Sequence, residues 1–271
     1  MSSDNSEVFT KENLDRYLNE LSKEYKKLGG RKVPVDIVLI GGAAVIENYG
    51  FRDMTTDVDA IVPAASIMKD AIGRVGSRFG LPEDWLNAEF IRTDSYSPGL
   101  YAHSVHYRTF SQVLHVRMVT GEYLIAMKLR AGRQYKNDLS DIVGILAEHE
   151  QKGTPIDFEM IDRAVIELYG GWERFPEHSL TFIRSILEAG NYAQIYKEIR
   201  ENERDAHNVV LELEEAYHGE IREEKIDSIL DADAAQGNRK SVLAKLEELK
   251  RQQVANASAS PEKEATEREE R

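Results

Sequence analysis

The chain of 271 residues carries 35 lysines and arginines against 48 aspartates and glutamates, and 41% of its residues are hydrophobic. This composition is typical of a globular protein with a charged surface and a sizeable core. No apolar run reaches the roughly 18 residues that a membrane-spanning helix needs, so we expect no membrane insertion. The formal net charge of −13 disfavours sequence-independent binding to nucleic acid, although the segment 101–136 is locally basic and allows a basic cleft.

The chain contains no cysteine. This excludes disulfides, thiolate zinc sites and cysteine nucleophiles, and it favours a cytoplasmic location. The first residues form neither a basic nor an apolar region, so we expect no secretory signal.

Helices and strands alternate in the first part of the chain. A helix is predicted over 11–28, with Thr10 as its N-cap and Gly29-Gly30 as its end. The β-branched run 35–40 predicts a buried strand, and Gly41-Gly42 then turns the chain. The elements predicted after this turn are a helix over 43–49, a strand over 57–62, a helix over 64–79 and a strand over 113–119.

After Gly121 the hydrophobic pattern is helical. The sequence therefore predicts an α+β fold, with a domain over 1–135, a helical domain over 136–253 and a disordered tail over 254–271. The predicted helices cover 122–132, 137–151, 157–168, 176–188, 192–217, 221–231 and 239–253.

Two short motifs carry the chemistry. Gly41 and Gly42 lie between a strand and a helix, where a phosphate can approach the backbone and the positive end of the helix dipole. Asp57 and Asp59 are two residues apart on a predicted strand, so their side chains should share one face. Two close carboxylates repel each other unless a cation lies between them, and Mg²⁺ prefers such oxygen ligands. A tight turn and a solvated strand end are the alternatives to this interpretation.

The motifs resemble those of a known family. Ile40–Ala43 together with Thr56–Asp59 resembles the signature of the polymerase-β-type minimal nucleotidyltransferases, and in particular of those associated with toxin–antitoxin and abortive-infection loci. The stretch Glu122–Arg133, followed by Asp138–Ile142, is also similar to that group. The resemblance covers residues 33–185.

The resemblance implies a small mixed β-sheet in the N-terminal domain, with a nucleoside triphosphate (NTP) as substrate and Mg²⁺ as cofactor. Such enzymes transfer a nucleoside monophosphate to a hydroxyl of RNA, protein or a small molecule, and release pyrophosphate. A cognate toxin or antitoxin protein is an expected partner. The resemblance places Mg²⁺ on Asp57 and Asp59, and the triphosphate on Gly41 and Gly42, with Lys128 near the phosphates and Arg133 nearby.

Arg52 lies five residues before Asp57 and is a further candidate for phosphate binding, a solvated surface arginine being the alternative. Asp138 and Asp141 lie at the predicted start of a helix, where negative charges interact favourably with the helix dipole. Their spacing also predicts an ion pair that orients Arg133.

One departure from the family pattern concerns a third carboxylate, which these enzymes usually carry on a neighbouring strand. The strand over 113–119 places His115 and Arg117 on one face and apolar residues on the other, and none of its residues is acidic. Glu89, Asp94 and Glu122 lie outside that strand. A catalytically degenerate module that binds a nucleotide or a partner protein, as an antitoxin does, is therefore the alternative to an active nucleotidyltransferase. A structural protein with an accidental motif is a third possibility.

Overall fold

The computed structural model describes residues 8–63, 66–217 and 223–235, together with 244, 247–248 and 251–252. Within these residues the chain has the predicted α+β fold, in which small sheets come first and helices dominate afterwards. The predicted helix over 239–253 lies largely outside the described residues, and the predicted tail over 254–271 lies wholly outside them. No helix in the described part is both long and apolar enough to cross a membrane.

Six strands form two sheets in the described residues. A two-stranded sheet pairs β1 with β3, and a four-stranded sheet has the order β4-β2-β6-β5. The central pair β2 and β6 is parallel, whereas β4 and β5 pair antiparallel at the two edges. The strands are β1 (Phe9–Thr10), β2 (Val35–Leu39), β3 (Met54–Thr55), β4 (Ala60–Ile61), β5 (Ser104–Phe110) and β6 (Leu114–Val119).

The helices follow the predicted apolar periodicity, with ends that differ from the predictions by a few residues. Thr10 and Asn13 form the capping box that starts the first helix. The helices are α1 (Lys11–Lys27), α2 (Gly41–Asn48), α3 (Ser66–Phe79), α4 (Gly121–Ala131), α5 (Asp138–Gln151), α6 (Phe158–Tyr169), α7 (Glu177–Ala189), α8 (Tyr192–Tyr217) and α9 (Glu223–Ala235).

The four-stranded sheet has one apolar face and one mixed face. Side chains alternate along β6, where Leu114 and Val116 are buried and His115 and Arg117 are partly exposed, as predicted. Ile37 of β2 lies opposite Val116 in the parallel register, so it projects to the same face, and it is also buried. The apolar face therefore lies in the core of the first unit.

Two predictions about strands were wrong in extent. The strand predicted over 57–62 is reduced to Ala60–Ile61, because Asp59 forms only an isolated bridge, with Asn87. No strand was predicted over Ser104–Phe110, yet this segment forms β5 along the edge of β6. The helix expected to start at Ala43 begins at Gly41.

The chain divides into two compact units by its internal contacts. The first comprises Met1–Ala131 and Lys152–Phe175, and the second comprises Gly132–Gln151 and Pro176–Arg271, in both cases as far as these ranges are described. The units interleave along the chain, whereas the predicted boundaries divide it into consecutive segments. The second unit has its own apolar cluster, which is formed by Tyr135, Ala206, Val210, Ile226 and Leu230.

Candidate functional site

The glycine pair lies where β2 passes into α2. Gly41 is the first residue of the helix and has a φ of +56°, a left-handed conformation that favours glycine. Ile40 precedes it in an extended conformation and makes no side-chain hydrogen bond to the first turn of α2. An N-terminal turn that is not capped by its own N-cap side chain is suited to an anionic ligand.

The carboxylate of Asp59 lies beside this turn. The Ile40 amide donates to the Asp59 carbonyl oxygen at 3.1 Å, so Asp59 is held opposite the residue that precedes the glycines. A Cβ placed on Gly41 would lie 3.1 Å from Asp59 Oδ2. The close approach of carboxylate and helix start therefore requires glycine at position 41.

Asn87 orients Asp59, and the sequence analysis did not identify it. Asn87 Nδ2 donates to Asp59 Oδ1 at 2.9 Å, across 28 positions of sequence. Backbone hydrogen bonds on both sides fix the contact, from the Ala60 amide to the Asn87 carbonyl at 3.0 Å and from the Asn87 amide to the Val58 carbonyl at 2.8 Å. No motif in the sequence marks Asn87, because its role arises only from this bridge.

Thr55 links Arg52 to the second glycine. A Cβ on Gly42 would lie 3.0 Å from the Thr55 Cβ, closer still to its Oγ1, and 3.1 Å from Arg52 Nη2. Arg52 Nη2 donates to Thr55 Oγ1 at 3.2 Å, and the buried Thr55 hydroxyl donates to the Asp57 carbonyl at 3.1 Å. The structure therefore places the guanidinium of Arg52 next to Gly42.

Asp57 differs from Asp59 in its environment. Its side chain is exposed and accepts a hydrogen bond from Thr56 Oγ1 at 3.4 Å, whereas Asp59 is partly buried. Because Asp57 precedes β4, the alternation of a strand does not fix the direction of its side chain. The expectation that both carboxylates project from one strand face is corrected in this respect.

Residues 16–168 match the model of the family described as "Nucleotidyltransferase of unknown function (DUF6036)". The chain belongs to this nucleotidyltransferase family. The match confirms the resemblance to minimal nucleotidyltransferases, and it spans the glycine pair, both aspartates and the region around Lys128 and Arg133. No curated protein and no solved structure matches the chain.

Two cationic residues expected in the nucleotidyltransferase site lie on other elements. Lys128 is on α4 of the first unit, and only 4% of the residue is exposed. Arg133 belongs to the second unit, where its Nε lies 2.8 Å from Asp138 Oδ2 and its Nη2 lies 3.3 Å from Oδ1. The predicted ion pair that orients Arg133 is thus confirmed.

The strand β6, which neighbours β2, carries no acidic residue. Arg117 occupies this strand, donating from Nε to Ser104 Oγ at 2.8 Å and from Nη2 to the Ser104 carbonyl. The three acidic residues outside the strand have partners of their own: Glu89 pairs with Arg92, Asp94 lies 3.6 Å from Arg130, and Glu122 accepts from Thr120 at 3.0 Å. Across the described residues no group of three or more histidines, aspartates or glutamates is arranged to hold a metal ion.

Proposed function

We propose that this nucleotidyltransferase is a Mg²⁺-dependent enzyme that transfers a nucleoside monophosphate from an NTP to a hydroxyl group. The observation that supports the proposal best is the position of Asp59, whose carboxylate lies beside Gly41 at the start of α2. A carboxylate for the metal and a helix N-terminus for the phosphates then face one substrate, the magnesium complex of a triphosphate.

The donor set fits one magnesium ion. Asp57 and Asp59 supply two carboxylates, and Mg²⁺ is commonly held by one or two carboxylates together with substrate phosphates. When bound, the ion supplies neutralisation and polarisation of the phosphates. Asn87 would position Asp59 and would not bind the metal itself. Its side-chain amide donates to Oδ1 of Asp59, while Oδ2 lies on the side of Gly41.

Backbone and cationic groups would hold the triphosphate. The amides at Gly41 and Gly42 receive phosphate oxygens, and the guanidinium of Arg52 beside Gly42 offsets their charge. Lys128 is proposed to add positive charge to the same substrate, whereas the role of Arg133, a residue of the second unit, stays a prediction from the family resemblance. The acceptor hydroxyl oxygen would form a bond to the α-phosphorus and its proton would pass to solvent water, while the bond between the α-phosphorus and the α,β-bridging oxygen breaks and pyrophosphate leaves with that oxygen.

The acceptor classes that we propose are RNA, protein and small molecules with a free hydroxyl. A role in a toxin–antitoxin pair, with a cognate partner protein, belongs to the same proposal. The family description names the nucleotidyltransferase class and leaves the substrate open.

Transfer of label from an α-³²P-labelled NTP, in the presence of Mg²⁺, tests the enzymatic proposal. Asp57→Ala and Asp59→Asn should abolish transfer with little change in thermal stability, because the amide oxygen introduced by Asp59→Asn can still accept from Asn87. Asp53→Asn is the matched control, since Asp53 is an exposed aspartate that directly precedes β3, on the other side of that strand from Asp57, and should keep full transfer. Equal transfer by wild type and Asp59→Asn would refute the assignment.

A second candidate function is a degenerate module that binds an NTP or a partner protein without transfer. The absence of an acidic residue from β6 and the engagement of Arg117 with Ser104 favour it. Mg²⁺-dependent NTP binding without transfer to any acceptor class would support this candidate. The absence of both NTP binding and transfer would refute the enzymatic proposal and leave only the partner-binding form of this candidate.

A further inference from the structure

Tyr101 is an exposed aromatic residue that is nevertheless fixed at both ends. It is the first residue of the turn that leads into β5, and 46% of the residue is exposed. Its hydroxyl donates to Asp36 Oδ2 on β2, and the guanidinium carbon of Arg117 lies 5.2 Å from its ring centroid. The hydrogen bond to Asp36 raises the pKa of Tyr101.

Arg117 is itself immobilised. Its two hydrogen bonds to Ser104 fix the guanidinium from the side of β5, while the tyrosine ring lies against it. Tyr101, Arg117 and Asp36 therefore form one connected group on three strands or their flanks, which we call the tyrosine platform. An aromatic ring held in this way loses little conformational entropy when a ligand stacks on it.

The strand register places the tyrosine platform on the face of the sheet that also carries Asp59. Val38 is opposite Arg117 and opposite Ile61, and directly opposed residues project to the same side. The hydrogen bond from the Ile40 amide to the Asp59 carbonyl continues the alignment of β2 and β4 as far as Asp59, two residues before Ile61, so we infer that Asp59 faces that side as well. Two strand spacings and two residue steps give a Cα–Cα separation of about 12 Å between Asp59 and Arg117.

We propose that the tyrosine platform binds a nucleobase by stacking on Tyr101. This inference rests on the proposed function, and it names the chemistry of the ligand that the same sheet face would take. Nucleobases stack on exposed aromatic rings whatever their sequence, and an adjacent arginine attracts the phosphates that accompany them. The base belongs either to the NTP or to the end of a single-stranded RNA acceptor.

Binding of three probes to the full chain, each with Mg²⁺, separates these sources and separates this inference from the proposed function. The probes are an NTP, a short single-stranded RNA and inorganic tripolyphosphate, which has no base. Tyr101→Ala should weaken binding of the NTP or of the RNA about tenfold, and leave tripolyphosphate binding unchanged. Tyr101→Phe keeps the ring and should remain within about threefold of wild type.

Val105→Ala is the matched control, because Val105 is 51% exposed on β5 and lies opposite Met118, on the other face of the sheet. It should leave all three affinities unchanged. The inference is overturned if Tyr101→Ala binds NTP and RNA like wild type, if it weakens tripolyphosphate equally, or if wild type binds neither base-containing probe. If the inference is overturned but wild type still binds tripolyphosphate, the proposed phosphate site is retained. If wild type does not bind tripolyphosphate but binds RNA in a way that depends on Tyr101, only the proposed function is refuted.

Discussion

Glu203 of α8 is a buried carboxyl group at the start of α5, in the second unit. Its Oε1 accepts from the amides of Leu139 at 2.9 Å and Ser140 at 3.1 Å, while its buried Oε2 has no hydrogen-bond partner in the described residues. Burial raises the pKa of Glu203 to about 8, and the charges of Asp141 and Asp138 act in the same direction. The folded protein therefore keeps this carboxyl protonated at pH 7, whereas the unfolded chain does not.

The sign of the pH dependence follows from this difference. Below the ordinary pKa of 4.5 both states are protonated, and Glu203 costs no stability. As the pH rises from 4.5 to about 8, only the unfolded state gives up its proton, so the free energy of unfolding falls. A pKa difference of about 3.5 corresponds to roughly 5 kcal/mol, and the loss ends once the folded state also ionises.

Glu203→Gln tests this account, because glutamine keeps an oxygen for the two amides and does not ionise. Thermal denaturation midpoints between pH 5 and pH 8.5 should fall less for the variant than for wild type, and the variant should be the more stable at pH 8. Glu201→Gln is the control, since Glu201 is an exposed residue of the same helix. Parallel pH profiles for wild type and Glu203→Gln would refute the reasoning.

Two further substitutions probe the candidate site. Gly42→Ala should lower the free energy of unfolding by about 1–3 kcal/mol in denaturant titrations, because the new Cβ would overlap Thr55. Gly73→Ala is the control, because an added Cβ there would meet no described heavy atom within 4 Å, and it should raise the free energy of unfolding by about 1 kcal/mol. A change of the same sign in both variants would contradict this account. Asn87→Ala should weaken Mg²⁺-dependent NTP binding about tenfold by releasing Asp59, as measured by calorimetry, and an unchanged affinity would remove Asn87 from the site.

The parts of the fold that the sequence predicted are those with a strong local pattern. The strand β2 is a short β-branched run, and the helices from α4 to α8 repeat apolar residues with a helical period, so neighbouring residues alone define these elements. β5 lacks such a pattern because most of its side chains are exposed. It forms a strand because the edge of β6 is available for pairing, which is a property of the tertiary structure.

The residues of the candidate site also fall into those that the sequence predicts and those that it does not. The glycine pair and Asp59 are predictable, since a strand, a turn and a second strand bring them together over a short stretch of chain. Asn87 and Thr55 could not be identified, because a lone asparagine in an irregular stretch and a threonine of a two-residue strand have no pattern of their own. Their roles follow from the bridge to Asp59 and from the close packing of Gly42.

Calorimetric titration with an NTP, with and without Mg²⁺, tests most directly whether Asp59 and the start of α2 bind a magnesium triphosphate. The account predicts binding by wild type that requires Mg²⁺, loss of that binding in Asp59→Asn, and full binding in the exposed-loop control Asp53→Asn. Equal affinities of wild type and Asp59→Asn, or affinity that does not depend on Mg²⁺, would contradict it.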